Sequence, residues 1–175
     1  PVDTIGGGVV VDAHPLRGRP GRLRVAQVPA SEEDTWVERI ARDGAAGRKL
    51  SSVAAEQGWS KDEVEAALAP LVQVGRVVRA AGLLFAGAHW RQVGEATLAT
   101  LSAWHAAEPL RSGAAREVLR AQAAGAMPPE AFRELLNELA AEGRLRLFGD
   151  RLALSGHRVV LSPDDESRAQ RIEDA

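Results

Sequence analysis

Residues 60–86 read SKDEVEAALAPLVQVGRVVRAAGLLFA, and residues 128–154 read PPEAFRELLNELAAEGRLRLFGDRLAL. The two stretches share one plan. Ser60 is a helix N-cap with Asp62 and Glu63 in the first turn, where the helix dipole favours acids. Pro128-Pro129 opens the second stretch, proline being tolerated in a first helical turn. The apolar faces that follow are Val64, Leu68 and Leu71 in one, and Phe132, Leu135, Leu136 and Leu139 in the other. Gly75 and Gly143 stop these helices. Arg76-Val77-Val78-Arg79 and Leu83-Leu84-Phe85 then flank Gly82, while Leu145-Arg146-Leu147 and Arg151-Leu152-Ala153-Leu154 alternate about Gly149-Asp150, so each stretch ends in a predicted hairpin. A shift of 68 places Leu68 on Leu136, Leu71 on Leu139, Gly75 on Gly143, Arg76 on Arg144, Leu84 on Leu152 and His89 on His157.

Working outward, each unit has two more helices in front. In the first, Ser31 with Asp34 forms a variant capping box, and Trp36, Val37 and Ile40 share a helix face closed by Gly44 and Gly47. Leu50, Val53 and Ala54 mark a short second helix ended by Gly58. In the second unit, Leu98, Leu101 and Trp104 (or His105) line the first helix, Pro109 follows it, and Val118 and Leu119 belong to a second helix closed by Gly125. These front helices need a smaller shift, so a loop differs in length. Three helices and a two-stranded wing, twice over, is the winged-helix order. The expected fold is mainly α with small β wings, built as tandem winged-helix modules of three helices plus a β-hairpin.

The expected division is 1–25 for a strand and basic linker, 26–88 and 89–160 for the two modules, and 161–175 for the start of a third. Gly6-Gly7-Gly8 before three valines suggests a bulged strand over 4–12; no helix opens after it, and no Gly-Lys-Ser/Thr ending is present, so neither a dinucleotide nor a Walker A loop is indicated. Ser162 and Pro163 would start the third unit's helix. The chain starts at Pro1 inside the glycine-rich stretch, and both ends read as cuts in a longer protein. Residues 86–92 form the joint between modules; burial of Trp90 there would make the pair stiff, exposure would let it bend.

The chain has 175 residues with 22 basic and 24 acidic side chains, a net charge of −2, which argues against a strongly basic nucleic-acid binder. There is no Cys, which excludes disulfides and thiolate metal sites. No apolar run suggests a membrane span and no secretory signal is seen, so a cytoplasmic location is expected. The basic residues are nearly all Arg, and 32 residues are Ala, as a GC-rich genome produces.

Two segments resemble one family. Thr4-Ile-Gly-Gly-Gly-Val-Val-Val-Asp-Ala-His-Pro15 is similar to the strand that closes the second barrel of the selenocysteine-specific elongation factor (SelB) family, and elongation factor Tu ends its last barrel with a related strand. Trp104-His105-Ala-Ala-Glu-Pro-Leu-Arg111 is similar to that family's Phe-His-x-x-Asn-Pro-Leu-Arg segment in the second winged helix, with Trp104 for Phe and Glu108 for Asn. The resemblance implies that residues 1–25 are the end of an elongation-factor-Tu-like C-terminal barrel plus linker. It implies a parent GTPase, using GTP and Mg, that carries selenocysteyl-tRNA to the ribosome. It places the SECIS mRNA hairpin on a last winged helix downstream. This chain would then be the connecting arm, with no cofactor of its own, monomeric, and with no membrane partner.

The surfaces fit an arm better than a reader. A DNA-reading winged helix presents base-contacting side chains on its third helix. Here Lys61 faces Asp62, Glu63 and Glu65, and Arg133 faces Glu130, Glu134, Glu138 and Glu142. Positive charge lies on linkers and wings instead. Arg17, Arg19, Arg22, Arg24, Arg76, Arg79, Arg144, Arg146, Arg151 and Arg158 are the candidate RNA-backbone contacts; otherwise the first four belong to a solvated connector and the rest are solvated charges that protect edge strands. Trp36 and Trp104 lie on apolar helix faces, suited to the core or to base stacking; Trp59 and Trp90 sit at module edges. His14, His89, His105 and His157 are scattered without metal-ligand spacing, and no Gly-x-Ser-x-Gly nucleophile occurs, so no catalytic, cofactor or metal residue is assigned. The competing reading is a tandem winged-helix transcriptional regulator.

Overall fold

The computed structural model describes residues 31–158. The expected strand at 4–12, the linker with Arg17, Arg19, Arg22 and Arg24, and the helix started by Ser162 lie outside the described residues.

The first module runs α1 (Glu32–Ala41), a short 3-10 turn (Gly44–Ala46), β1 (Arg48–Lys49), α2 (Leu50–Gln57), α3 (Lys61–Gln73), β2 (Val77–Ala80) and β3 (Leu83–Ala86). The second runs α4 (Gly87–Ala107), β4 (Ala114–Ala115), α5 (Arg116–Leu119) continued by a π turn (Arg120–Ala124), α6 (Pro129–Ala141), β5 (Leu145–Phe148) and β6 (Arg151–Leu154). Each sheet is antiparallel with three strands, in the orders β1-β3-β2 and β4-β6-β5. The two-residue edge strands β1 and β4 were not anticipated; they carry no alternation because only two residues of each pair with the hairpin.

The caps follow the sequence. The Ser31 hydroxyl accepts from the Asp34 N–H at 3.1 Å. Ser60 and Glu63 form the full reciprocal box: Glu63 N–H donates to the Ser60 hydroxyl and Ser60 N–H donates to the Glu63 carboxylate at 2.7 Å. That backbone bond, with the Ser60 hydroxyl, holds the Glu63 pKa below the usual carboxylate value. α3 continues through Pro70, whose missing N–H leaves one ladder bond unmade close to the helix end.

The first core gathers Trp36, Ile40, Val53, Val64, Leu68, Leu71, Val77 and Leu84. The second gathers Leu98, Leu101, Leu119, Met127, Phe132, Leu135, Leu136, Leu139, Leu145 and Leu152, and it also takes in Ala80 and Phe85 from the first module's wing. The modules therefore share a core across their junction. Trp90 sits there at 3% exposure. Its ring centroid is 5.2 Å from that of Phe85, and its indole N–H donates to Glu138 at 2.7 Å. α4 begins with no linker after β3, because Gly87 can lie against the Gly75 carbonyl, where a Cβ would come within 2.0 Å of that oxygen. The joint is stiff.

The offset of 68 carries α3 onto α6, β2 onto β5 and β3 onto β6 residue for residue, while β1 maps to β4 at 66. The additional residues of the second module are taken up where its second helix widens to a π turn and in the loop 125–128. The alternation expected for the second hairpin is imperfect: Leu147 is 36% exposed although it shares a face with buried Leu145.

Candidate nucleic-acid interface

The structure divides the candidate arginines by what answers their charge. Arg76 at the start of the first wing donates to Glu33 at 3.2 Å and to Asp34, both on α1. The Asp34 pKa is lowered chiefly by that Arg76 hydrogen bond and then by Ser31. Arg79 reaches Glu65 of α3 at 3.1 Å. Arg144, the repeat equivalent of Arg76, pairs with Glu95 of α4 at 2.8 Å, and this bond lowers the Glu95 pKa. Those arginines tie wings to their own helices.

Arg146 and Arg151 behave differently. Arg146 donates to the His157 carbonyl at 2.7 Å and Arg151 to the Gly113 carbonyl at 3.1 Å. A carbonyl uses one of a guanidinium's five donors and cancels no charge. Arg158 is exposed at the end of the described residues. Phe148 stands between Arg146 and Arg151, 38% exposed, with its ring over Gly113, where a Cβ would clash at 2.5 Å.

Several acids of the third helices hold partners within the molecule. Besides Glu63 and Glu65, Glu134 of α6 accepts the Ala81 N–H at the tip of the first wing at 3.0 Å, and Glu138 accepts from Trp90. Two acids of α6 are thus hydrogen-bonded by groups at the neighbouring module's junction, while the outer side of α6 stays exposed and net acidic. Sequence reasoning saw the acidity of these helices but not its use, since the partners are 53 and 48 residues away.

The Trp104–Arg111 segment is a brace. His105 is 6% exposed, its Nε2 accepts the Leu154 N–H at 3.3 Å, and it stacks on His157 with ring centroids 3.6 Å apart. His157 Nε2 in turn lies 3.1 Å from the Arg111 carbonyl. Burial, then the charges of His157 and Arg146, push the His105 pKa below its ordinary value. Trp36 is core, Trp104 packs against the second core, and Trp59 meets Trp36 edge-on at 5.3 Å while staying 40% exposed. Among the described residues no group of three or more His, Asp or Glu is placed to hold a metal ion, and no helix is long and apolar enough to cross a membrane.

Residues 98–154 match the family model described as elongation factor SelB, winged helix. The match runs from within α4 to the end of β6. Among solved structures, the mRNA-binding domain of elongation factor SelB from E. coli, determined in complex with SECIS RNA, is similar at 13% identity and a TM-score of 0.49, over 71% of this chain and 98% of that chain. No curated protein matches the sequence.

Proposed function

We propose that this chain, whose residues 98–154 form a winged helix of the SelB elongation-factor family, is the non-catalytic arm of a selenocysteine-specific translation factor. The arm spaces a GTPase body that carries selenocysteyl-tRNA from downstream winged helices that hold the SECIS hairpin, so that UGA is read as selenocysteine on the ribosome, in the cytoplasm. GTP and Mg belong to the body. The observation that carries the reading is the shared core at the Phe85–Trp90 joint, which makes two small modules one stiff spacer. The exposed acids of α3 and α6 support it, because carboxylates set against DNA phosphates repel them.

The test is binding of the 175-residue chain to a SECIS hairpin and to a scrambled hairpin across a salt series. An arm discriminates poorly between them, and whatever binding it shows weakens steeply with salt. Tight, salt-resistant and hairpin-selective binding by this chain overturns the division of labour.

A further inference from the structure

The two wing sheets are superposable in register but face different surroundings. In the first, Val77 and Leu84 point into the first core. The opposite row is Val78, Ala80, Leu83 and Phe85, brought to one face by the pairs Val78↔Phe85 and Ala80↔Leu83, and it packs on the second module's core. Shifted by 68, that row becomes Arg146, Phe148, Arg151 and Ala153, brought to one face by the pairs Arg146↔Ala153 and Phe148↔Arg151. An apolar row that seals a junction is replaced by two exposed arginines and a part-exposed aromatic ring beside a buried Ala153. Covering those arginines would require carboxylates brought against them, whereas the first wing's row is covered by apolar contacts alone.

The face is also poor in acids. Among the described residues Arg146 and Arg151 have no carboxylate partner, and neither does Arg158. Arg116 donates to the Gly149 carbonyl at the turn. Asp150 lies in the turn between β5 and β6, and Glu108, ahead of β4, meets Arg111 at 3.4 Å. The first wing, by contrast, answers Arg76 and Arg79 with Glu33, Asp34 and Glu65. Positive charge flanking an exposed ring is the composition of surfaces that track an RNA backbone and stack an unpaired base.

We infer that the outer face of the β5–β6 wing is a contact surface for single-stranded or loop RNA, with Arg146 and Arg151 on phosphates and Phe148 as a base-stacking platform. The inference rests on the translation-factor reading and adds to it: the arm holds RNA weakly and without sequence preference, through one wing only.

The experiment measures anisotropy of a labelled single-stranded RNA with the whole chain over a salt series. Arg146→Ala with Arg151→Ala lowers affinity about tenfold at low salt and flattens the slope of log affinity against log salt by about 1.4, roughly 0.7 per phosphate contact. Replacing both by Lys restores the slope, which separates lost charge from lost folding. Phe148→Ala lowers affinity about fivefold with the slope unchanged. Arg79→Ala changes neither. Wild-type affinity and slope in the double alanine variant overturn the surface, as does an absence of RNA binding by the wild-type chain at low salt. Preference for duplex DNA over single-stranded RNA overturns it too. Hairpin-selective, salt-resistant binding that still depends on Arg146 and Arg151 instead overturns the arm reading and leaves the surface standing.

Discussion

His105 shows how one buried ring makes folding depend on pH. Its neutral form accepts the Leu154 N–H, and a protonated Nε2 cannot. Because burial depresses its pKa in the folded chain, the unfolded chain binds more protons between the depressed value and the ordinary value of about 6.5. Stability contributed here is complete above about 6.5 and falls as pH drops through the folded value. Urea midpoints taken from roughly pH 8 down to pH 5 should decline over this window, and His105→Gln should reduce that decline. Gly87 is a second single-residue control. A methyl group there meets the Gly75 carbonyl, so Gly87→Ala should destabilise the chain by about 1–3 kcal/mol in urea unfolding, whereas Gly156→Ala, which meets nothing, should leave it near wild type.

At the scale of elements, the helices were legible and the edges were not. Ser60, Glu63 and the Val64, Leu68 and Leu71 stripe announce α3, because a cap and a period near 3.6 are local properties. Ser60→Ala should cost about 1 kcal/mol, read as a lowered urea midpoint, since the Glu63 N–H then loses its acceptor. The hairpins were legible from turn residues. The strands β1 and β4 were not, because two paired residues carry no pattern and exist only where a neighbouring strand offers its hydrogen bonds. The π turn at Arg120–Ala124 was likewise invisible: nothing in its residues marks the extra width, which accommodates added chain between fixed ends. Of the candidate site, the wing arginines were found by type and place. Which of them are neutralised was not, because Glu33, Asp34, Glu65 and Glu95 reach them from other elements.

On the scale of the whole molecule, the junction governs behaviour. Modules of this size are marginal alone, and a core that runs from Phe85 through Trp90 into α6 couples them. The chain should therefore unfold in one transition when helix content and native-state hydrogen exchange are compared. Trp90→Ala removes a buried indole and its bond to Glu138, should cost about 3–5 kcal/mol, and should split that transition into separate unfolding of the two modules. Coincident transitions in the variant would mean that the coupling lies elsewhere.

The amino-acid order alone determined the two modules, their caps, their hairpins and the acidity of their third helices, because each depends on residues within a turn or two of one another. It also carried the likeness at Trp104–Arg111, in the region that the family model matches. Only the tertiary structure decided what each wing faces. Val78, Ala80, Leu83 and Phe85 on one sheet and Arg146, Phe148 and Arg151 on the other are short alternating rows in sequence. One row is buried because α4 and α6 fold back over it, and on the other Arg146, Phe148 and Arg151 stay exposed while Ala153 is buried. Burial is a property of what the rest of the chain brings to a face, and it turns a repeated wing into a joint in one module and a charged surface in the next.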